Sequence, residues 1–136
     1  VEEKANKANL GSIPVSQIMN TQVITVKADY SIKRTVEILK LNKLTGAPVV
    51  DQTKQLIGVI SEYDLLIQAA SKPASDLITY NEKVQAVQPE TTLKEVLVIF
   101  YKQKLKRIPV IDKQGVVVGV VERIDVLTTL INGSED

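Results

Sequence analysis

Two heptads in this chain place a glycine, a polar or acidic residue and an aspartate at three-residue intervals. They are GVISEYD, with Gly58, Ser61 and Asp64, and GVVERID, with Gly119, Glu122 and Asp125. A hydroxyl at the start of a helix can add a hydrogen bond to an anion seated there, because unpaired N–H groups and the positive end of the helix dipole converge on that spot. One turn on, a carboxylate can accept both hydroxyls of a ribose, and a glycine in the preceding strand lets a ligand come close to the backbone. The same residues also have a structural reading. Ser-x-x-Asp ahead of Leu65, Leu66 and Ile67 fits a capping box, and Gly58 can serve tight packing within a strand. Only the first heptad carries the hydroxyl; the second has Glu122 in its place.

A second candidate is the run YKQKLKR, residues 101–107, with four basic residues and no acid. Lys106 and Arg107 end it, just before Ile108 and Pro109. Such a run can be a nucleic-acid footprint or a solvated helix end, where cations favour the last turn. The formal net charge is only +1, and Phe100 with four tyrosines offers no evident stacking platform, so no nucleic-acid partner is expected. Tyr63, inside the first heptad, can stack on a purine or simply pack. With no cysteine and no histidine, thiol chemistry, disulfides, Cys/His metal sites and histidine acid–base catalysis are excluded. No catalytic constellation stands out, no metal site is expected, and the chain is read as a non-enzyme.

The elements that must position these residues come from an internal repeat. Pro48 pairs with Pro109, Asp51 with Asp112, Gly58 with Gly119 and Asp64 with Asp125, always 61 positions apart, and the register runs without a gap from Val23/Val84 to Leu66/Leu127. Upstream, SQIM at 16–19 matches SDLI at 75–78 with a separation of 59, which assigns two extra residues to the second copy, in a loop at TYNEK. Each copy reads as strand, helix, two strands, helix. Ile32, Thr35, Val36 and Leu39 share one face of the first helix, as Leu93, Val96, Leu97 and Phe100 do in its partner. Thr92 and Glu95 form a plausible capping box. The segments PVV/LIGVIS and IPVID/VVVGVVE, split by DQTKQ and DKQG, suit antiparallel hairpins, and the unbroken apolar run VVVGVV suggests a strand covered on both faces.

At 136 residues, 44% apolar and 24% charged, the chain suits one core of ordinary size or two small units sharing one. No apolar run approaches a membrane span and no signal segment opens the chain, so a soluble, cytoplasmic location is expected. The expected divisions are an N-terminal extension over 1–14, repeats over 15–70 and 76–131 joined by 71–75, and a tail over 132–136. The polar ends VEEKANKANLG and NGSED are expected to fray.

The repeat, the strands GAPVVD and RIPVID, and the Gly-h-h-Ser-x-x-Asp heptad together resemble a tandem pair of CBS domains, the regulatory Bateman module, over roughly Val15 to Ile131. The resemblance implies an α/β fold of two β-α-β-β-α repeats related by pseudo-twofold symmetry and packed through their sheets. It further implies clefts that bind adenine nucleotides or adenosyl compounds: AMP, ADP, ATP or S-adenosylmethionine, with no cofactor required. One site would use Gly58, Ser61, Tyr63 and Asp64 with Lys106, Arg107, Ile108 and Pro109. The other would use Gly119, Glu122 and Asp125 with Ala47 and Pro48, beside the uncharged pair Thr45 and Gly46. That second site, with two carboxylates and no cation, is expected to hold no phosphate-bearing ligand. Homodimers are expected, through helix faces carrying Leu65, Leu66, Ile67, Leu127, Leu130 and Ile131, together with an effector protein or a fused domain as the output. The alternative is a structural dimerisation module with vestigial clefts.

Overall fold

A computed structural model describes residues 10–133. The first repeat runs β1 (Val26–Lys27), α1 (Ile32–Asn42), β2 (Gly46–Val50), β3 (Leu56–Ser61) and α2 (Glu62–Ser71). The second runs α3 (Leu93–Gln103), β4 (Arg107–Ile111), β5 (Val117–Glu122) and α4 (Arg123–Gly133), with its opening strand reduced to a parallel bridge from Val87 to Val110. In the first repeat β1 pairs parallel with β2, and β2 antiparallel with β3.

Local chemistry sets the helix limits. Ser31 accepts a hydrogen bond from the Arg34 amide ahead of α1, and Thr92 and Glu95 form a reciprocal capping box ahead of α3. Each of these helices then ends on a lysine with left-handed backbone, Lys43 at φ 55° and Lys104 at φ 52°, a conformation usually left to glycine. The buried stripe is Ile32, Thr35 and Leu39 on α1 and Leu93, Val96 and Phe100 on α3. Val36 and Leu97, expected on the same face, stand partly exposed at its edge. In the hairpin turns, Asp51 and Asp112 each accept two backbone amides, and the Thr53 hydroxyl beside Asp51 holds that carboxyl below its usual range.

The two hairpins match to the residue. Gly46 faces Ser61 and Pro48 faces Val59 in one; Arg107 faces Glu122 and Pro109 faces Val120 in the other, and both ladders shift register after the fourth pair. Proline has no N–H to give to a ladder. Here none is required, because Val59 and Val120 turn their own N–H and carbonyl groups the other way, to Asn81 and Asn20. Pro48 and Pro109 therefore sit in non-hydrogen-bonded pairs.

Those asparagines belong to segments that precede the opposite repeat. Residues 24–84 form one compact unit; residues 10–23 and 85–133 form the other. In the first, Ile32 and Lys33 donate to the carbonyls of Asp76 and Ala74, and Ile78 donates to Tyr30. In the second, Leu93 and Lys94 donate to Ile13 and Gly11, and Val15 donates to Thr91. These bonds equate Ile13 with Asp76 and Val15 with Ile78, a separation of 63, whereas Asn20 matches Asn81 at 61. The two extra residues therefore lie in the first copy, between Val15 and Asn20 and not in TYNEK, where the chain makes the short 3-10 turn Val15–Gln17. The textual likeness of SQIM to SDLI is not the structural equivalence, because the ladder and the helix starts fix the register at either end.

Each unit has its own core. One gathers Val26, Ile32, Leu39, Val49, Ile60, Leu65 and Ile78; the other gathers Val15, Val87, Leu93, Val96, Phe100, Ile108, Val110, Val121 and Val126. Leu10, expected in a frayed end, is instead buried in the second core with its side chain against Gly133. The rest of both expected frayed ends, apart from Gly11, Asn132 and Gly133, lies outside the described residues. VVVGVV is fully buried only at Gly119 and Val121, with its other members half-buried, so its burial alternates as in a sheet with one deeper face. Among the described residues no helix is long and apolar enough to cross a membrane.

Candidate functional site

Both heptads form a strand that runs directly into a helix, β3 into α2 and β5 into α4. At the first junction the capping box is complete. The Asp64 amide donates to the Ser61 hydroxyl oxygen at 3.1 Å, and the Asp64 carboxylate accepts from the Ser61 amide at 3.1 Å and from its hydroxyl at 2.9 Å. The Glu62 amide donates to the Thr45 carbonyl at 2.9 Å. Two of the first-turn amides that could have met an anion are thus occupied by the chain itself. Ser61 and Asp64 remain half-exposed, and Tyr63 points outward at 69% exposure rather than packing. Ala47 and Pro48 are buried in β2, opposite Ile60 and Val59.

The glycines have a contact of their own. A Cβ on Gly58 would collide with the Asn81 carbonyl and the Tyr80 ring, and one on Gly119 with the Met19 side chain. The close approach that these glycines permit is made by the chain's own incoming segments. Met19-Asn20 and Tyr80-Asn81 are the residues missed in the sequence. Their signal was a large side chain before an asparagine at the repeat's own separation of 61. Gln68 fixes the second of these segments, its buried amide donating to the Thr79 carbonyl at 2.7 Å and accepting from the Thr79 amide at 2.9 Å.

The second junction differs. Asp125 accepts from the Glu122 amide at 2.8 Å, so the aspartate keeps its capping role. The Glu122 carboxylate turns instead toward Arg107, its partner across the hairpin, with Oε2 3.8 Å from Nε. One expectation changes here: Glu122, expected beside no cation, has its carboxylate near the Arg107 guanidinium of the neighbouring strand. The reason is the ladder, which sets the last residue of β5 opposite the first of β4. Lys106 is exposed beside Arg107, while Ile108 and Pro109 are buried behind it. The structure therefore brings Ser61 together with Asp64 in one unit, and Arg107 together with Glu122 and Asp125 in the other.

Comparison with known proteins agrees with this duplicated architecture. The CBS-domain profile matches residues 15–70 and again 74–132. The chain is 33% identical over 129 residues to inosine-5'-monophosphate dehydrogenase of Aquifex aeolicus, covering 92% of this chain but 24% of that enzyme. Among solved structures it resembles CBSX2 of Arabidopsis thaliana in complex with AMP, with 28% identity, a TM-score of 0.73 and coverage of 88% and 96% of the two chains. It also resembles the CBS domain pair of protein MJ0100 in complex with methylthioadenosine and S-adenosyl-L-methionine, with 26% identity, a TM-score of 0.72 and coverage of 90% and 98%.

Proposed function

This chain belongs to the CBS-domain family as a tandem pair, and from that membership we propose that it is a regulatory module that binds an adenine nucleotide or adenosyl compound. AMP, ADP, ATP and S-adenosylmethionine are the candidate ligands, and the ligand state passes to a partner protein or a fused domain. The chain spans about a quarter of the dehydrogenase it matches, so no catalytic activity is carried over from that enzyme. The observation that carries the reading is the strand-to-helix junction at Ser61 and Asp64. It presents a hydroxyl and a carboxylate, one helical turn apart and half-exposed, in a fold whose solved relatives hold AMP or S-adenosyl-L-methionine. Within its unit, Asp64 takes the ribose hydroxyls and Ser61 a phosphate oxygen.

A regulatory ligand must bind two arrangements of the protein unequally, since equal affinity shifts nothing. The helix faces provide a surface on which such arrangements can differ. Leu66 and Ile67 on α2 and Ile124, Leu127 and Ile131 on α4 are all more than half exposed, and they support assembly into homodimers. Of the other helix residues expected there, Leu65 belongs to the core of its own unit and Leu130 is half-buried against the core of the other. The test is calorimetric titration of adenosine, AMP, ATP and S-adenosylmethionine into the chain and its Asp64→Ala variant. Saturable binding of at least one, weakened in the variant, is expected; no binding at millimolar ligand would leave a structural dimerisation module.

A further inference from the structure

Within the unit of residues 24–84, a groove of about 400 Å3 runs between α1 and α2. Leu39 and Leu65, both buried, form its floor, and Leu66, Ala69, Lys40 and Glu62 border it. Leu66 is 66% exposed and projects beside Ala69, which stands one turn on along α2 and adds only a methyl group. Lys40 and Glu62 are exposed as well, and among the described residues neither enters an ion pair. The other repeat differs at three of these places. At the repeat separation of 61 it has Tyr101 for Lys40, Arg123 for Glu62 and Leu130 for Ala69, and Leu130 lies half-buried against its own core.

We propose that this groove is where two copies of the chain meet, each placing Leu66 over the Ala69 of the other. This pairing rests on the homodimer reading above and names the repeat that carries it. A twofold contact must be self-complementary, because whatever one residue meets, its own position meets in return. The α1/α2 face satisfies that condition in shape and in charge. It holds a projecting side chain, Leu66, and a recess at Ala69; it also holds a cation, Lys40, and an anion, Glu62, so each lysine faces the glutamate of the other copy. At the matching places α3 and α4 carry Tyr101, Leu130 and Arg123, which fill the recess and leave a cation without its acid.

Sedimentation of the whole chain and its variants tests this. Leu66→Asp should give a monomer, whereas Leu127→Asp, at the matching position of the other repeat, should remain a dimer. Ala69→Leu, which copies Leu130, should weaken the dimer by about tenfold or more by filling the recess. Lys40→Glu and Glu62→Lys should each weaken it, and the combined reversal should restore the affinity to within about threefold of the parent. A dimer that survives both Leu66→Asp and Ala69→Leu, or that the combined reversal fails to restore, overturns the groove contact and leaves the homodimer standing. So does a dimer dissolved by Leu127→Asp alone. A parent chain that stays monomeric at high micromolar concentration removes both. Should Leu66→Asp lose its cooperative unfolding transition, Ala69→Leu, at an exposed helix position, carries the same test.

Discussion

The Ser61 hydroxyl donates to the Asp64 carboxylate at 2.9 Å and accepts from the Asp64 amide at 3.1 Å. The two groups assigned to the ligand are thus each other's partners beforehand, which ties binding to helix capping. Ser61→Ala should cost roughly 0.5–2 kcal/mol of stability, the usual range for a lost N-cap. Asp64→Asn keeps an oxygen acceptor for the Ser61 amide but loses the charge. It should therefore unfold closer to the parent than Asp64→Ala does, while binding adenosine almost as poorly. Thermal unfolding beside calorimetry separates the two roles; parallel losses in both measurements for every variant would show that capping accounts for all of it.

The heptad glycines should differ in tolerance. At Gly58 an added methyl meets the Asn81 carbonyl, a backbone atom tied in both directions to Val59, whereas at Gly119 it first meets the flexible Met19 thioether. Gly58→Ala is expected to destabilise by about 1–3 kcal/mol, the ordinary cost of overpacking, and Gly119→Ala by clearly less. Denaturant midpoints of the two variants decide this, and the reverse order would contradict the packing argument.

Lys43 and Lys104 end their helices in left-handed backbone. Glycine adopts that conformation without a Cβ penalty, so Lys43→Gly and Lys104→Gly should each raise stability by about 1 kcal/mol despite the added freedom of the unfolded chain. Chemical denaturation measures it. Unchanged or lowered midpoints would mean that the lysine side chains contribute more than the backbone strain costs.

Leu66, Ile67, Leu127 and Ile131 leave apolar area on α2 and α4, and a groove of about 400 Å3 between α1 and α2 is lined by Val36, Leu39, Leu65 and Leu66 among others. A Leu66→Asp/Leu127→Asp double variant should stay folded, since both residues are exposed, and should sediment as a monomer where the parent chain sediments as a dimer. A parent chain that remains monomeric at high micromolar concentration would reject the homodimer.

The sequence alone determined what depends on near neighbours and on the duplication. Helix faces follow from apolar spacing, the Ser61–Asp64 and Thr92–Glu95 caps from residues three apart, and the paired hairpins from the repeat, since each is fixed within a few residues of its own position. Only the tertiary structure decided which distant segment completes which unit. Nothing local in SQIMN or TYNEK states that Asn20 joins β5 and Asn81 joins β3, because the bonding groups are backbone amides and carbonyls that every residue carries. The same holds for Arg107 and Glu122. Read along the chain they are a basic end of one segment and an odd residue in a heptad; the ladder register makes them a pair and so changes the charge that a phosphate would meet.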